Sequence, residues 1–168
     1  MEIQDFMFGD NIEPEKRLEK HKEEHHGVQH RARVFPARPR PGEPIEFRVT
    51  TAGELPFETV QVFYTLDGSM PGMESSLRLE LNRASVGWDQ VGWQYVQEWR
   101  GTLAGQADDA MIRYVVGAQV AGSRRWIFAD NQAESVNEAT LFAIWVSNLT
   151  AQEWSKTALV YHIFLDRF

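Results

Sequence analysis

From residue 45 onward the chain repeats one pattern: a short run that alternates apolar and polar residues, then a turn built on Gly, Pro or Asp. Ile45, Phe47 and Val49 alternate with Glu46, Arg48 and Thr50, which is how a strand with one buried face reads. Val60, Val62 and Tyr64 alternate in the same way with Gln61, Phe63 and Thr65, and Leu77, Leu79 and Leu81 with Arg78, Glu80 and Asn82. The turns between them lie at 53–56, at Asp67-Gly68 and at Pro71-Gly72. An aromatic run follows, with Val91, Trp93, Tyr95, Gln97 and Trp99 on one side and Gln94, Val96, Glu98 and Arg100 on the other. Residues 111–120 form a strong strand, Gly122-Ser123 a hairpin turn into 126–128, and 141–146 a last strand. Upstream, 28–35 reads as a first strand, and the prolines of 36–44 exclude that stretch from the middle of a sheet. Strands this short and this evenly spaced predict an all-β chain, a β-sandwich over 31–148.

The C-terminal segment follows another rule. Residues 154–168 read W-S-K-T-A-L-V-Y-H-I-F-L-D-R-F, with Ala158, Leu159, Val160, Tyr161, Ile163, Phe164 and Leu165 nearly continuously apolar. That is the pattern of a strand buried on both faces, as in a parallel sheet covered by helices. A parallel strand requires a crossover and a neighbour, and the sequence ends at Phe168 without them. The expectation is that 149–168 is a linker and an orphan first strand of a second domain, and that the chain is a fragment.

The words V-Y-H-I-F-L-D-R-F resemble the first barrel strand of the α-amylase superfamily, glycoside hydrolase family 13, although His162 stands where that family more often has Gln. Upstream, Trp88-Asp89, Trp93, Tyr95-Val96, Trp99-Arg100-Gly101-Thr102-Leu103, Gly105-Gln106, Ile112-Arg113-Tyr114 and Tyr64-Thr65-Leu66-Asp67-Gly68-Ser69 resemble the immunoglobulin-like domain that precedes the barrel in some of these enzymes. The resemblance covers roughly residue 34 to the end. It implies an N-terminal immunoglobulin-like domain of a glycoside hydrolase acting on α-glucans, cut after the first strand of a TIM barrel. The catalytic carboxylates of such enzymes lie on later barrel strands, so no catalytic residue is carried over and the chain is expected to be inactive alone. Within the barrel-strand motif, Tyr161 and His162 read as strand packing and Asp166 and Arg167 as residues that hold the following loop. The partners implied are the missing barrel of the same polypeptide, α-glucan and a second copy of the chain. The alternative is a stand-alone protein-interaction module.

Composition narrows the function classes. At 168 residues the chain suffices for one cored domain, whereas a TIM barrel alone needs about 250. A net charge of −7 argues against nucleic acid, which recruits a basic face. No stretch is apolar enough to span a membrane. With no cysteine there is no disulfide or thiolate metal site, and with no basic, apolar leader the expected location is cytoplasmic. Phosphate-loop and nucleophile-elbow motifs are absent, and no cofactor is implied.

Residues 1–30 form an arm. Residues 13–26 predict a helix, started by Pro14 and ended by Gly27, polar nearly all round with Leu18 its one clear anchor. It carries His21-Lys22-Glu23-Glu24-His25, a literal H-x-x-E-H, which on a helix puts two histidines on one face. A catalytic zinc also requires a third ligand and a dry cavity. The helix has no apolar face to build one, so the expected reading is a solvated face, with His26 and His30 part of an incidental His-rich surface and no metal. The remaining candidates are aromatic. Trp88 and Trp93, beside Asp89 and Gln94, suit a platform on which a sugar ring stacks its C–H face while polar neighbours take the hydroxyls. Packing in the sandwich core is the competing role for both, and the expected one for Trp99.

Overall fold

A computed structural model describes residues 14–53 and 55–149. The barrel-strand motif, Tyr161, His162, Asp166 and Arg167 included, lies outside the described residues.

Among the described residues one helix, α1 (Pro14–Glu24), precedes nine strands: β1 (Gly27–Gln29), β2 (Val34–Phe35), β3 (Ile45–Ala52), β4 (Phe57–Thr65), β5 (Leu77–Asp89), β6 (Gln94–Leu103), β7 (Met111–Val120), β8 (Trp126–Phe128) and β9 (Phe142–Trp145). Hydrogen bonding runs β1-β3-β6-β5-β4-β7-β8, with β2 also on β3 and β9 also on β7, and every pairing between named strands is antiparallel. The long strand β5 joins two layers. Its first half pairs with β4 (Val60↔Leu81), its second half with β6 (Asn82↔Arg100 to Asp89↔Gln94), and the register shifts between Arg83 and Ser85. A bulge of that kind lets one strand turn a sheet's corner. The all-β sandwich expected from the alternation is the architecture observed.

The alternation also locates the core. Ile45, Phe47 and Val49 from one layer and Val60, Val62, Ile112, Tyr114 and Val116 from the other are fully buried in one cluster. Phe47 meets Tyr114 across the layers, with ring centroids 5.2 Å apart. A smaller cluster of Phe63, Val115 and Phe128 lies on the other face of the β4–β7–β8 layer. Phe63, placed by the alternation on the polar side of its strand, is therefore buried, because a second apolar layer of Trp126, Val136 and neighbours covers that side. Trp99 is core as expected, donating its indole N–H to Thr51 Oγ1 at 2.9 Å.

Two expectations change near the N-terminus. The strand expected over 28–35 is two pieces, because Arg31 and Ala32 take a left-handed backbone (φ 51° each) that turns the chain between them. His30 is no surface residue. It is fully buried among Phe47, Tyr114 and Phe142. Its Nδ1 lies 2.8 Å from the Arg48 carbonyl, which only accepts, so Nδ1 carries the proton. Nε2 then accepts from the Tyr114 hydroxyl at 3.0 Å.

Burial holds the His30 imidazole below its ordinary value, outweighing the Arg48 carbonyl and Asp130, which favour the charged form; Arg33 adds to the lowering. The unfolded chain therefore takes up a proton first as pH falls through the ordinary histidine value of 6.5. This group's contribution is present above that value and is lost below it. Denaturant midpoints should thus fall between about pH 7 and about pH 5.5, and His30→Phe should remove that part of the fall.

Candidate functional site

The aromatic candidates meet at the tip of the β5–β6 hairpin. Trp88 and Tyr95 are cross-strand partners with centroids 4.9 Å apart, and Trp93 packs edge-on against Trp88 at 5.5 Å. All three are exposed: Trp88 45%, Tyr95 65% and Trp93 77%. Tyr95 belongs to the platform although alternation put it on the core side with Trp99. The register explains this. β3 covers β6 only as far as Ala52↔Val96, so the residues before Val96 overhang the end of the β3 layer. The same face that buries Trp99 is open at Tyr95.

The platform walls a cleft of about 530 Å³, which Leu55, Pro56, Thr51, Gln94 and Gln97 also line. Such a surface of exposed rings with amide side chains nearby combines stacking area with hydrogen-bonding capacity. Val86 and Val91 on the same hairpin are also exposed, which extends the apolar patch. Trp93 itself has a left-handed backbone (φ 53°). That conformation costs a non-glycine residue about 1 kcal/mol or more and persists where the surroundings enforce it. Trp93→Gly should therefore leave stability within about 1 kcal/mol of the parent, the relief offsetting the lost ring contact, while removing the platform's most exposed ring. Denaturant titration checks the first half and ligand binding the second.

Asp89 and Gln94, the next pair along the hairpin, reach away from the rings to α1. Asp89 accepts from the Val91 amide at 3.0 Å and sits 2.9 and 3.0 Å from His21 Nε2 through its two oxygens. Gln94 Nε2 donates to the His25 carbonyl at 2.8 Å. Burial works to raise the Asp89 carboxyl, and hydrogen bonds from His21 and from the Gly92 and Val91 amides overcome it, leaving it below the usual carboxylate range. A Cβ on Gly92 would stand 2.6 Å from Asp89 Oδ2 and 2.8 Å from Gln94 Nε2. Only glycine at this position lets the two polar side chains converge on the helix.

The helix is thus held by polar contacts. Leu18, its expected anchor, is 41% exposed, and His21 and His25, expected on a solvated face, are half-buried against Asp89. Nothing in the local sequence pairs residue 21 with residue 89; only the hairpin's position brings them together.

No family model and no curated protein matches the chain. Among solved structures it is similar to a cycloalternan-forming enzyme from Listeria monocytogenes in complex with a pentasaccharide substrate, at 16% identity over 67% of this chain and 9% of that one, TM-score 0.47. It is similar to another solved structure from Listeria monocytogenes, of a protein described as uncharacterized, at 16% identity over 71% of this chain and 10% of that one, TM-score 0.48. A cyclomaltodextrinase aligns at 14% identity over 73% and 19% of the two chains, TM-score 0.45. The chain spans only 9% to 19% of the length of these three. Among the described residues, no helix is long and apolar enough to cross a membrane.

Proposed function

We propose that this chain is a non-catalytic, immunoglobulin-like domain of an α-amylase-type glycoside hydrolase, and that its hairpin platform binds α-glucan. The observation that carries the sugar-binding role is the trio Trp88, Trp93 and Tyr95, exposed together beside a cleft that Gln94 and Gln97 also line. The sequence words that resemble the α-amylase superfamily support the choice of α-glucan as ligand. A glucose unit presents C–H faces to rings and hydroxyls to amides, and tilted neighbouring rings match a chain that curves, as α-linked glucans do. The domain would dock on its catalytic barrel in a reducing cytoplasm, which suits a chain without cysteine.

Affinity electrophoresis through a gel containing soluble starch tests this. The parent chain should be retarded, and Trp93→Ala should migrate faster, with its affinity lowered at least about tenfold. Equal mobility with and without starch would remove the sugar-binding role and leave the patch as a protein-docking face.

A further inference from the structure

We infer that His21, His25 and Asp89 form a binding site for a divalent transition-metal ion of the zinc class, which clasps α1 to the β5–β6 hairpin. The site does not rest on the sugar-binding reading and stands or falls separately. One ligand atom from each of the three residues lies within 4.8 Å of the others, close enough for small side-chain rotations to bring all three onto one ion. His21 and His25 are one helical turn apart, so their side chains share a face, and their ring centroids are 4.2 Å apart. Asp89 enters from a different element, 68 residues away in sequence from His21.

The surroundings orient the ligands. His25 Nδ1 faces the carboxylate, 3.9 Å from Asp89 Oδ2, and lies 3.0 Å from the His21 carbonyl, a contact it gives up to the ion as its proton shifts to Nε2. Asp89 is fixed by the Val91 amide and has 10% of its side chain exposed. Two ligands at zinc bonding distance in tetrahedral geometry stand roughly 3.3 Å apart, so His21 Nε2 and Asp89 Oδ1, now at 2.9 Å, separate by a few tenths of an ångström to admit the ion. To ligate as a neutral ring, His21 shifts its proton from Nε2 to Nδ1 through solvent, which frees the Nε2 lone pair for the ion. Two imidazoles and one carboxylate favour zinc, copper or nickel over calcium or magnesium. The remaining position goes to water. The role is structural: the ion ties to the sandwich a helix whose apolar residue, Leu18, is largely exposed.

The test is isothermal titration of the full chain with zinc chloride in chelator-free buffer. One ion should bind per chain, calcium and magnesium should not compete, and His21→Ala and Asp89→Asn should each weaken binding by at least about tenfold. His26→Ala, which alters an exposed histidine outside the cluster, should leave affinity unchanged. Because Asp89→Asn also disturbs the hairpin, the parent chain gives a second readout by NMR. On adding zinc, the ring resonances of His21 and His25 should shift and those of buried His30 should not. Absence of saturable binding, binding indifferent to Asp89→Asn, or unmoved His21 and His25 resonances would each overturn the site.

Discussion

His30→Ala should lower the free energy of unfolding by about 3–4 kcal/mol, a large share of what a domain of this size has. Three losses combine. The ring's contacts with Phe47, Tyr114 and Phe142 disappear and a cavity replaces them. The Arg48 carbonyl loses the Nδ1–H, and the Tyr114 hydroxyl loses its acceptor. A buried polar group stripped of its partner costs about 1–3 kcal/mol, so the polar share alone is substantial. Tyr114→Phe removes the hydroxyl and leaves the ring, and should cost about 1–2 kcal/mol. The two changes share one hydrogen bond, so the double variant should lose less than the sum of the singles. Urea denaturation followed by Trp fluorescence measures all three. A cost for His30→Ala below about 1 kcal/mol would mean that the ring is not in the core.

Gly105→Ala should be nearly as damaging, at about 3 kcal/mol or outright failure to fold. Gly105 follows the end of β6, where its backbone crosses the turn at Gly42, and a Cβ would overlap the Gly42 carbonyl group. Both partners at that crossing are main chain, so no rotamer change gives relief. The crossing is held by the Gly42 amide donating to the Gln106 carbonyl at 2.8 Å, and moving the strands apart breaks that bond. Gly87→Ala is the control. It lies in β5 with open space where its Cβ would stand, so alanine there should be neutral or stabilising by up to about 1 kcal/mol. If the two substitutions prove equally tolerated, β6 and the turn at Gly42 do not pack as described.

The fold was legible in sequence wherever alternation or a dense apolar run marks a strand. Ile45, Phe47 and Val49 in β3, and Met111–Val120 in β7, announce themselves by period and composition. What could not be read is whatever a distant element decides. The second half of β5 escaped, because Asn82, Arg83, Ala84 and Ser85 have no apolar alternation and are strand only through pairing with β6. Trp88 and Trp93 were legible as a candidate platform, but Tyr95 was not, since its exposure depends on β3 ending opposite Val96. His30 looked like one more member of a polar, His-rich segment; its burial follows from the turn at Arg31 and Ala32, which folds the segment back on β3. Asp89 read as a turn residue and does accept the Val91 amide, but its second role, holding α1 through His21, needs the hairpin and the helix together.

The most direct test of the sugar-binding role is a titration of the full chain with maltoheptaose, followed by tryptophan fluorescence. Of the six tryptophans Trp99 is buried, whereas Trp126 is partly and Trp145 well exposed, so it is the comparison with Trp93→Gly that assigns a saturable change in emission to the platform. The account predicts such a change in the parent chain and its loss in Trp93→Gly, at unchanged stability. Emission that stays flat up to the solubility limit of the sugar, or a response that survives Trp93→Gly intact, would contradict it.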